Sequence, residues 1–148
     1  MPGAASHGGW TLSDAPNRFD VDKGHAWISR QSYWAAGIPR DVFERSLANS
    51  LVVGAYDPAG AMGAMARAVT DRATFAWICD VFVDAPARGQ GLGKALMGFL
   101  MAHPDLQNLR RMHLATRDAH ALYEGFGFGP LTGQDRWMEI RDRDVYRR

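Results

Sequence analysis

The stretch from Ala73 to Pro104 constrains this chain more than any other. Ala73 to Val83 is rich in aromatic and β-branched residues, the composition of a strand. Its near-continuous hydrophobicity predicts a central strand covered on both faces. Asp84-Ala-Pro-Ala and then Arg88-Gly-Gln-Gly-Leu-Gly-Lys94 follow. Leu92, Ala95, Leu96, Phe99 and Leu100 then form one apolar helical stripe, which Pro104 stops. Strand, glycine-rich turn and helix make an arrangement that suits a phosphate. Glycines let the backbone approach a ligand closely, and the free N–H groups and dipole at a helix start favour anions. Taken alone, such a turn is equally an ordinary tight turn.

Two familiar phosphate loops fail on spacing. A P-loop needs Ser or Thr after Gly-Lys, and Ala95 follows Gly93-Lys94. The dinucleotide fingerprint needs a glycine three places after Gly91, where Lys94 stands. A mononucleotide-binding domain is disfavoured for the same reason as the P-loop. What remains is Arg88-x-x-Gly91-x-Gly93.

The rest of the chain predicts a mixed domain. Trp10 to Ser13 reads as a short strand. Asp20 is a candidate N-cap for a helix through Val21, His25, Trp27 and Ile28, broken by Ser32-Tyr-Trp-Ala-Ala-Gly-Ile-Pro39. A second helix follows Pro39, with Val42, Phe43 and Leu47 on one face and an end near Asn49-Ser50. Leu51 to Tyr56 and Ala61 to Thr70 read as strands, separated by the turn Asp57-Pro-Ala-Gly60. Met112 to Thr116 predicts a strand and Ala119 to Glu124 a short helix. Phe126 to Phe128 and Trp137 to Ile140 are candidate closing strands.

Composition narrows the class. The 148 residues, 47% hydrophobic and 22% charged, suit one globular core. A net charge of +1 argues against a nucleic-acid partner, which shows as a basic patch or stripe. No apolar run approaches the roughly 20 residues of a membrane span. Cys79, the single cysteine, has no partner for an internal disulfide or a thiol zinc site. His113 and His120, on a strand and near a helix start, have no Cys or Glu cluster to complete a metal site. Residues 1–9 lack the basic start and apolar stretch of a signal peptide and read as a flexible leader to one domain at 10–148. These features together predict a soluble cytoplasmic protein.

Cys79-Asp-Val-Phe-Val-Asp-Ala-Pro-Ala-Arg-Gly-Gln-Gly-Leu-Gly-Lys-Ala-Leu96 resembles the fourth strand, pyrophosphate loop and third helix of the GNAT acetyltransferases. Ala119-His-Ala-Leu-Tyr-Glu-Gly-Phe-Gly-Phe128 is similar to a later segment of that family, Ala-x-x-Leu-Tyr-x-x-x-Gly-Phe. The order of elements from Trp10 to Ile140 also agrees. The resemblance implies an α/β (α+β) fold with a mixed, mostly antiparallel central sheet flanked by helices. It implies N-acetyl transfer, in which an amine attacks the thioester of acetyl-CoA directly.

Site residues follow from the same resemblance. Arg88, Gly89, Gln90, Gly91, Leu92, Gly93 and Lys94 would hold the pyrophosphate through their amides. Val81, Phe82 and Val83 lie where the family's central strand splays from its neighbour and pairs with the pantetheine arm. An N–H near Val81 would serve the thioester oxygen, a kind of donor worth about 3 kcal/mol when well placed. Tyr123 matches the family's general acid, and the alternative is an aromatic plug in the core. Cys79 stands where polyamine-type relatives keep a glutamate. A buried thiol there is a core residue more readily than a nucleophile. Asp80 is then the candidate base or ammonium anchor, or else a structural acid paired with an arginine. Thr116 replaces an asparagine that contacts the cofactor arm.

The acceptor site is expected from Ser32, Tyr33 and Trp34 together with Phe75 and Trp77, with Trp137 closing it. These would form an aromatic pocket for a compact amine or aliphatic cation. Trp77 and Trp137 are equally readable as core aromatics. Met97 and Met101 read as packing. The partner expected is a small-molecule amine, with no nucleic acid and no membrane; a homodimer is open. The rival from another class is a non-catalytic acyl-CoA-binding or sensing module, which the missing glutamate at Cys79 keeps in play.

Overall fold

Each strand pairs with the next one along the chain, so the sheet is laid down in sequence order. The computed structural model describes residues 3–147. Its strands are β1 (Ala4–His7), β2 (Trp10–Ser13), β3 (Leu51–Tyr56), β4 (Met62–Thr70), β5 (Phe75–Val83) and β6 (Arg111–His113). The helices are α1 (Val21–Gln31), α2 (Arg40–Ala48), α3 (Leu92–Met101) and α4 (His120–Glu124). Neighbours from β1 to β5 are antiparallel. Only β6 runs parallel to β5, because α3 carries the chain back to the same end before β6 begins. No described helix is long and apolar enough to cross a membrane.

The two sheet faces are built differently. Ala55, Ala64, Ala66, Ala68 and Ala76 line one face, where their small side chains admit Leu92, Leu96 and Leu100 of α3. The other face carries larger groups: Tyr56, Met62, Met65 and Phe82 meet Trp27 and Ile28 of α1 and Phe43 of α2. α1 starts where expected, with the Asp20 carboxylate accepting the Lys23 N–H. Met97 on α3 is buried, and Met101 at the end of that helix packs against the same cluster.

Four sequence expectations change. Residues 4–7 of the presumed leader form β1 and pair with β2 in full register, from Ala4 opposite Ser13 to His7 opposite Trp10. Met1 and Pro2 lie outside the described residues. β5 is covered on both faces only over its second half, since α1 stops short of Trp77, which stays exposed. β6 ends at His113 and does not reach Thr116.

The two closing strands are absent among the described residues. Phe126 and Phe128 both donate backbone hydrogen bonds to the Tyr123 carbonyl, which turns the chain back onto α4. Trp137 follows a short 3-10 turn and meets His113 edge-on, and Met138 and Ile140 beyond it are fully exposed. Strand propensity is realised only against a partner edge, and nothing pairs with this segment.

Candidate active site

The site begins with an irregularity in β5. Cys79 lies opposite Arg67 and Phe82 opposite Met65, so Asp80 and Val81 together oppose Ala66. Two residues against one is a β-bulge. Asp80 takes it up at φ +52°, in the left-handed region that residues with a Cβ visit rarely. The extra residue reverses the alternation of side chains. Ala76 and Ile78 face α3 before the bulge, and Val81 and Val83 do so after it. Phe82 therefore turns to the α1 side, where it stacks on Trp27 at 5.3 Å.

β6 pairs with β5 only at Phe75–Trp77. From residue 78 to 83 the edge of β5 that faces away from β4 carries no strand, which opens a gap beside Val81. At the end of β5 the Arg88 Nε donates to the Val83 carbonyl at 3.0 Å. The loop beyond it turns on glycines. Gly89 and Gly91 have φ of +83° and +71°, conformations natural only for glycine. Gly91 is the N-cap of α3 and its carbonyl accepts the first helical bond, from Ala95. Among the described residues, nothing accepts from the amides of residues 89–94. Several unpaired donors at a helix start hold an anion well.

The β1–β2 hairpin braces this loop. His7 Nε2 lies 2.9 Å from the Gln90 carbonyl, and Trp10 Nε1 donates to Gln90 Oε1 at 3.1 Å. Neither brace was foreseen, and no local pattern in the sequence announces them.

On the other side of the gap stands the connection between α1 and α2, which carries Tyr33 and Trp34. Trp34 Nε1 donates to Asp80 Oδ1 at 2.8 Å, and Arg67 Nε donates to Asp80 Oδ2 at 2.9 Å. Arg67 Nη1 is tied in turn to Ser50 Oγ. The carboxylate is only 5% exposed and both its oxygens are engaged. Next to Trp34, and edge-on to it at 5.0 Å, Tyr33 accepts the Arg117 N–H through its hydroxyl. The Arg117 guanidinium lies 3.9 Å from the centre of the Tyr33 ring. The pair thus reaches from β5 to the segment after β6. Arg67 and Arg117 were missed from the sequence. A signal for the first was present, since a lone arginine in the small, apolar run of β4 needs a buried partner.

Tyr123, on α4, is 9% exposed, and its hydroxyl meets no hydrogen-bond partner among the described residues. Burial, then the neighbouring Tyr33 and Asp118, raise its phenol above the ordinary value, so it remains protonated through the neutral range. Cys79 is half-buried, and its thiol is pushed up to about 12 by burial, with Arg67 partly offsetting this. Thr116 Oγ1 accepts the Ala119 N–H and so shapes the turn into α4.

Other expected acceptor residues sit elsewhere. Ser32 is buried, donating to the Ile28 carbonyl and accepting from the Ala35 N–H, so it shapes the end of α1. Phe75 and Trp77 lie on the opposite end of β5 from the gap. Phe75 and Trp137 each meet His113 edge-on, and the Arg111 guanidinium lies over the Trp137 ring. Burial and Arg111 both lower the His113 pKa, which keeps the ring neutral within this cluster.

Comparison with known proteins fits this geometry. The sequence pattern of the acetyltransferase (GNAT) family matches residues 17–128. A protein from Xanthomonas campestris pv. campestris, described as a GNAT-family acetyltransferase, is 40% identical, and its crystal structure superposes with a TM-score of 0.91 over 95% of this chain and 99% of that one. The ribosomal-protein-S18-alanine N-acetyltransferase of Escherichia coli shares the fold at 22% identity and a TM-score of 0.65, over 83% of this chain and 79% of that one. An acetyltransferase from Clostridium acetobutylicum, crystallised with acetyl-CoA, does so at 17% identity and a TM-score of 0.62, over 89% and 94%. Among curated proteins none matches the sequence. Acetyl-CoA, the donor this family uses, suits the residues present: the free amides of 89–94 match a pyrophosphate and the unpaired edge of β5 matches an amide-bearing arm. By sequence over most of its length, and by fold over nearly all of it, this chain belongs to the GNAT family of acetyltransferases.

Proposed function

We propose that the enzyme transfers an acetyl group from acetyl-CoA to the amine of a small acceptor, in the cytoplasm. The observation that carries this reading is continuity. The free amides at the start of α3 run into the open edge of β5, and that edge ends beside Asp80, Tyr123 and the Tyr33–Trp34 pair. The E. coli neighbour, named as an N-acetyltransferase for an alanine of a ribosomal protein, supports an amine acceptor by analogy of fold alone.

Bound acetyl-CoA supplies a thioester carbon open to an amine and a thiolate as leaving group. The amides of 89–94 hold the pyrophosphate, with Arg88 and Lys94 adding positive charge. The edge at Val81 would pair with the arm and offer an N–H to the thioester oxygen, the Val83 carbonyl being held already by Arg88. Thr116 keeps a hydroxyl proton to donate nearby. Tyr123 would give its proton to the leaving thiolate as the C–S bond breaks, and would be reprotonated through water by the proton that the acceptor nitrogen sheds as the amide forms. A buried phenol held in its acid form, above a thiol pKa of about 8.5, still gives that proton usefully.

Asp80 was the candidate base or ammonium anchor, with a structural acid paired with an arginine as the alternative. With its oxygens committed to Arg67 and Trp34, an incoming ammonium meets those groups first. In our reading the amine arrives neutral, and the chain accelerates the reaction mainly by holding the two reactants together. The same commitment of Asp80 favours a second reading, a non-catalytic acyl-CoA-binding module. A thiol-release screen with acetyl-CoA against small amines, polyamines, amino acids and peptide N-termini separates the two. Acceptor-dependent release establishes transfer. CoA binding without release from any amine establishes the binding module.

A further inference from the structure

We infer that Asp80 is a positioning residue: it holds the Trp34 indole, and with it the Tyr33–Trp34 pair, as a wall across the opening between β5 and β6. The inference rests on the reading above that this opening is where acetyl transfer takes place.

The geometry assigns the carboxylate to this task. Asp80 is nearly buried, with Arg67 Nε at 2.9 Å on one oxygen and the Trp34 indole N–H at 2.8 Å on the other. Three groups face it: Arg67 from β4, the Cys79 thiol beside it on β5, and the indole from the connection between α1 and α2. Arg67 is itself fixed at its far end by Ser50, so the charge that balances Asp80 is held in place. The bulge is what aims this carboxylate. Only the left-handed turn at Asp80 brings a side chain from this point of β5 under the loop while Phe82 reaches α1.

Trp34 needs such a hold. It lies in residues 32–39, which have no helix or strand, and its ring is 40% exposed. Its neighbour Tyr33 is anchored separately, to the Arg117 N–H on the far side of the opening. With both anchors in place, two aromatic rings 5.0 Å apart and perpendicular to each other present an angled, largely apolar wall next to Asp80. An acceptor bearing a hydrocarbon or planar group next to its amine packs on that wall. The carboxylate contributes through the indole and does not touch the acceptor.

The test combines a spectrum with kinetics. In 15N-labelled protein the five tryptophan indole N–H signals are resolved, and Trp34→Phe identifies the Trp34 signal. Asp80→Ala is expected to move that signal to the position of a solvent-exposed indole and to speed its exchange with water at least tenfold. Asp80→Asn, which keeps an accepting oxygen, retains much of the protection and guards against failure of the alanine variant to fold. With the best amine from the screen, Trp34→Phe raises the acceptor KM several-fold to tenfold, and Asp80→Asn, which keeps part of the hold, raises it by less. In both, kcat, the acetyl-CoA KM and the acid limb of the pH profile stay within twofold.

An indole signal that ignores Asp80→Ala overturns the inference. So does an Asp80→Asn enzyme that loses the acid limb and recovers activity at high pH, because Asp80 is then the base. If no amine is acetylated and CoA leaves the melting curve unmoved, the proposed function fails. The indole signal still decides whether Asp80 holds Trp34.

Discussion

Replacing Tyr123 by Phe removes one hydroxyl from the site and little else. The ring lies in the cluster under α3, edge-on to Phe128 with ring centres 6.2 Å apart, and Phe preserves that packing. The hydroxyl breaks no hydrogen bond to the described residues when it leaves, so folding stability should change by less than about 1 kcal/mol. CoA binding should be unchanged, because the cradle at 89–94 is untouched. Loss of the proton donor should lower kcat roughly 10- to 1000-fold, or about 1.4 to 4.1 kcal/mol in barrier. Burial together with Tyr33 and Asp118 raises this phenol above its ordinary 10.0, so the acid form persists through neutral pH. The sign follows: wild-type kcat falls only above about pH 10, and the Phe variant loses that alkaline limb. Thiol release against pH, with melting curves and CoA titration as controls, reads all three quantities. A Phe variant within twofold of wild type refutes the general-acid role and leaves water as the proton source. A fall in kcat accompanied by a fall in Tm of several degrees refutes the claim that only a proton was lost.

Two further outcomes test the loop and the thiol. CoA should raise the Tm of the wild-type enzyme by mass action, and Gly91→Asp should abolish the rise. At φ +71° any side chain costs about 1–2 kcal/mol, and the aspartate adds negative charge where an anion must bind, so an undiminished CoA shift refutes the cofactor cradle. Cys79 prefers its neutral form when folded, its pKa being raised from 9.0 to about 12. The unfolded chain therefore releases this proton first as pH rises, and stability falls between those values. From pH 7 to pH 10 the wild type should lose about 1.4 kcal/mol from this thiol, near 3–6 °C in Tm, that Cys79→Ala does not lose. Parallel curves for the two proteins refute the shift.

Local chemistry wrote much of this molecule into the sequence. The α3 stripe, the Asp20 cap, the breaks at Ser32–Pro39 and the glycines at 89, 91 and 93 depend on contacts within a turn or two, so each was readable where it stands. The likeness of residues 79–96 and 119–128 to one family carried the fold and the chemistry further than periodicity alone. The long-range decisions belonged to the tertiary structure. His7 looked like leader until β1 paired with β2 and brought it to Gln90, more than eighty residues away. The sequence grouped Phe75 and Trp77 with Tyr33 and Trp34 in one pocket, yet the structure sets Trp34 against Asp80 and Phe75 and Trp77 beside β6. Phe75 and Trp77 stay at one end, and Phe82 and the opening lie at the other. Trp137 to Ile140 reads as a closing strand and finds no edge among the described residues. Asp80 was legible as an acid in the right place, but its partners Arg67 and Trp34 come from β4 and from the connection between α1 and α2. Which of a carboxylate's neighbours is a cation and which an indole depends on register and on the path of a loop, and those are set only when the sheet closes against its helices.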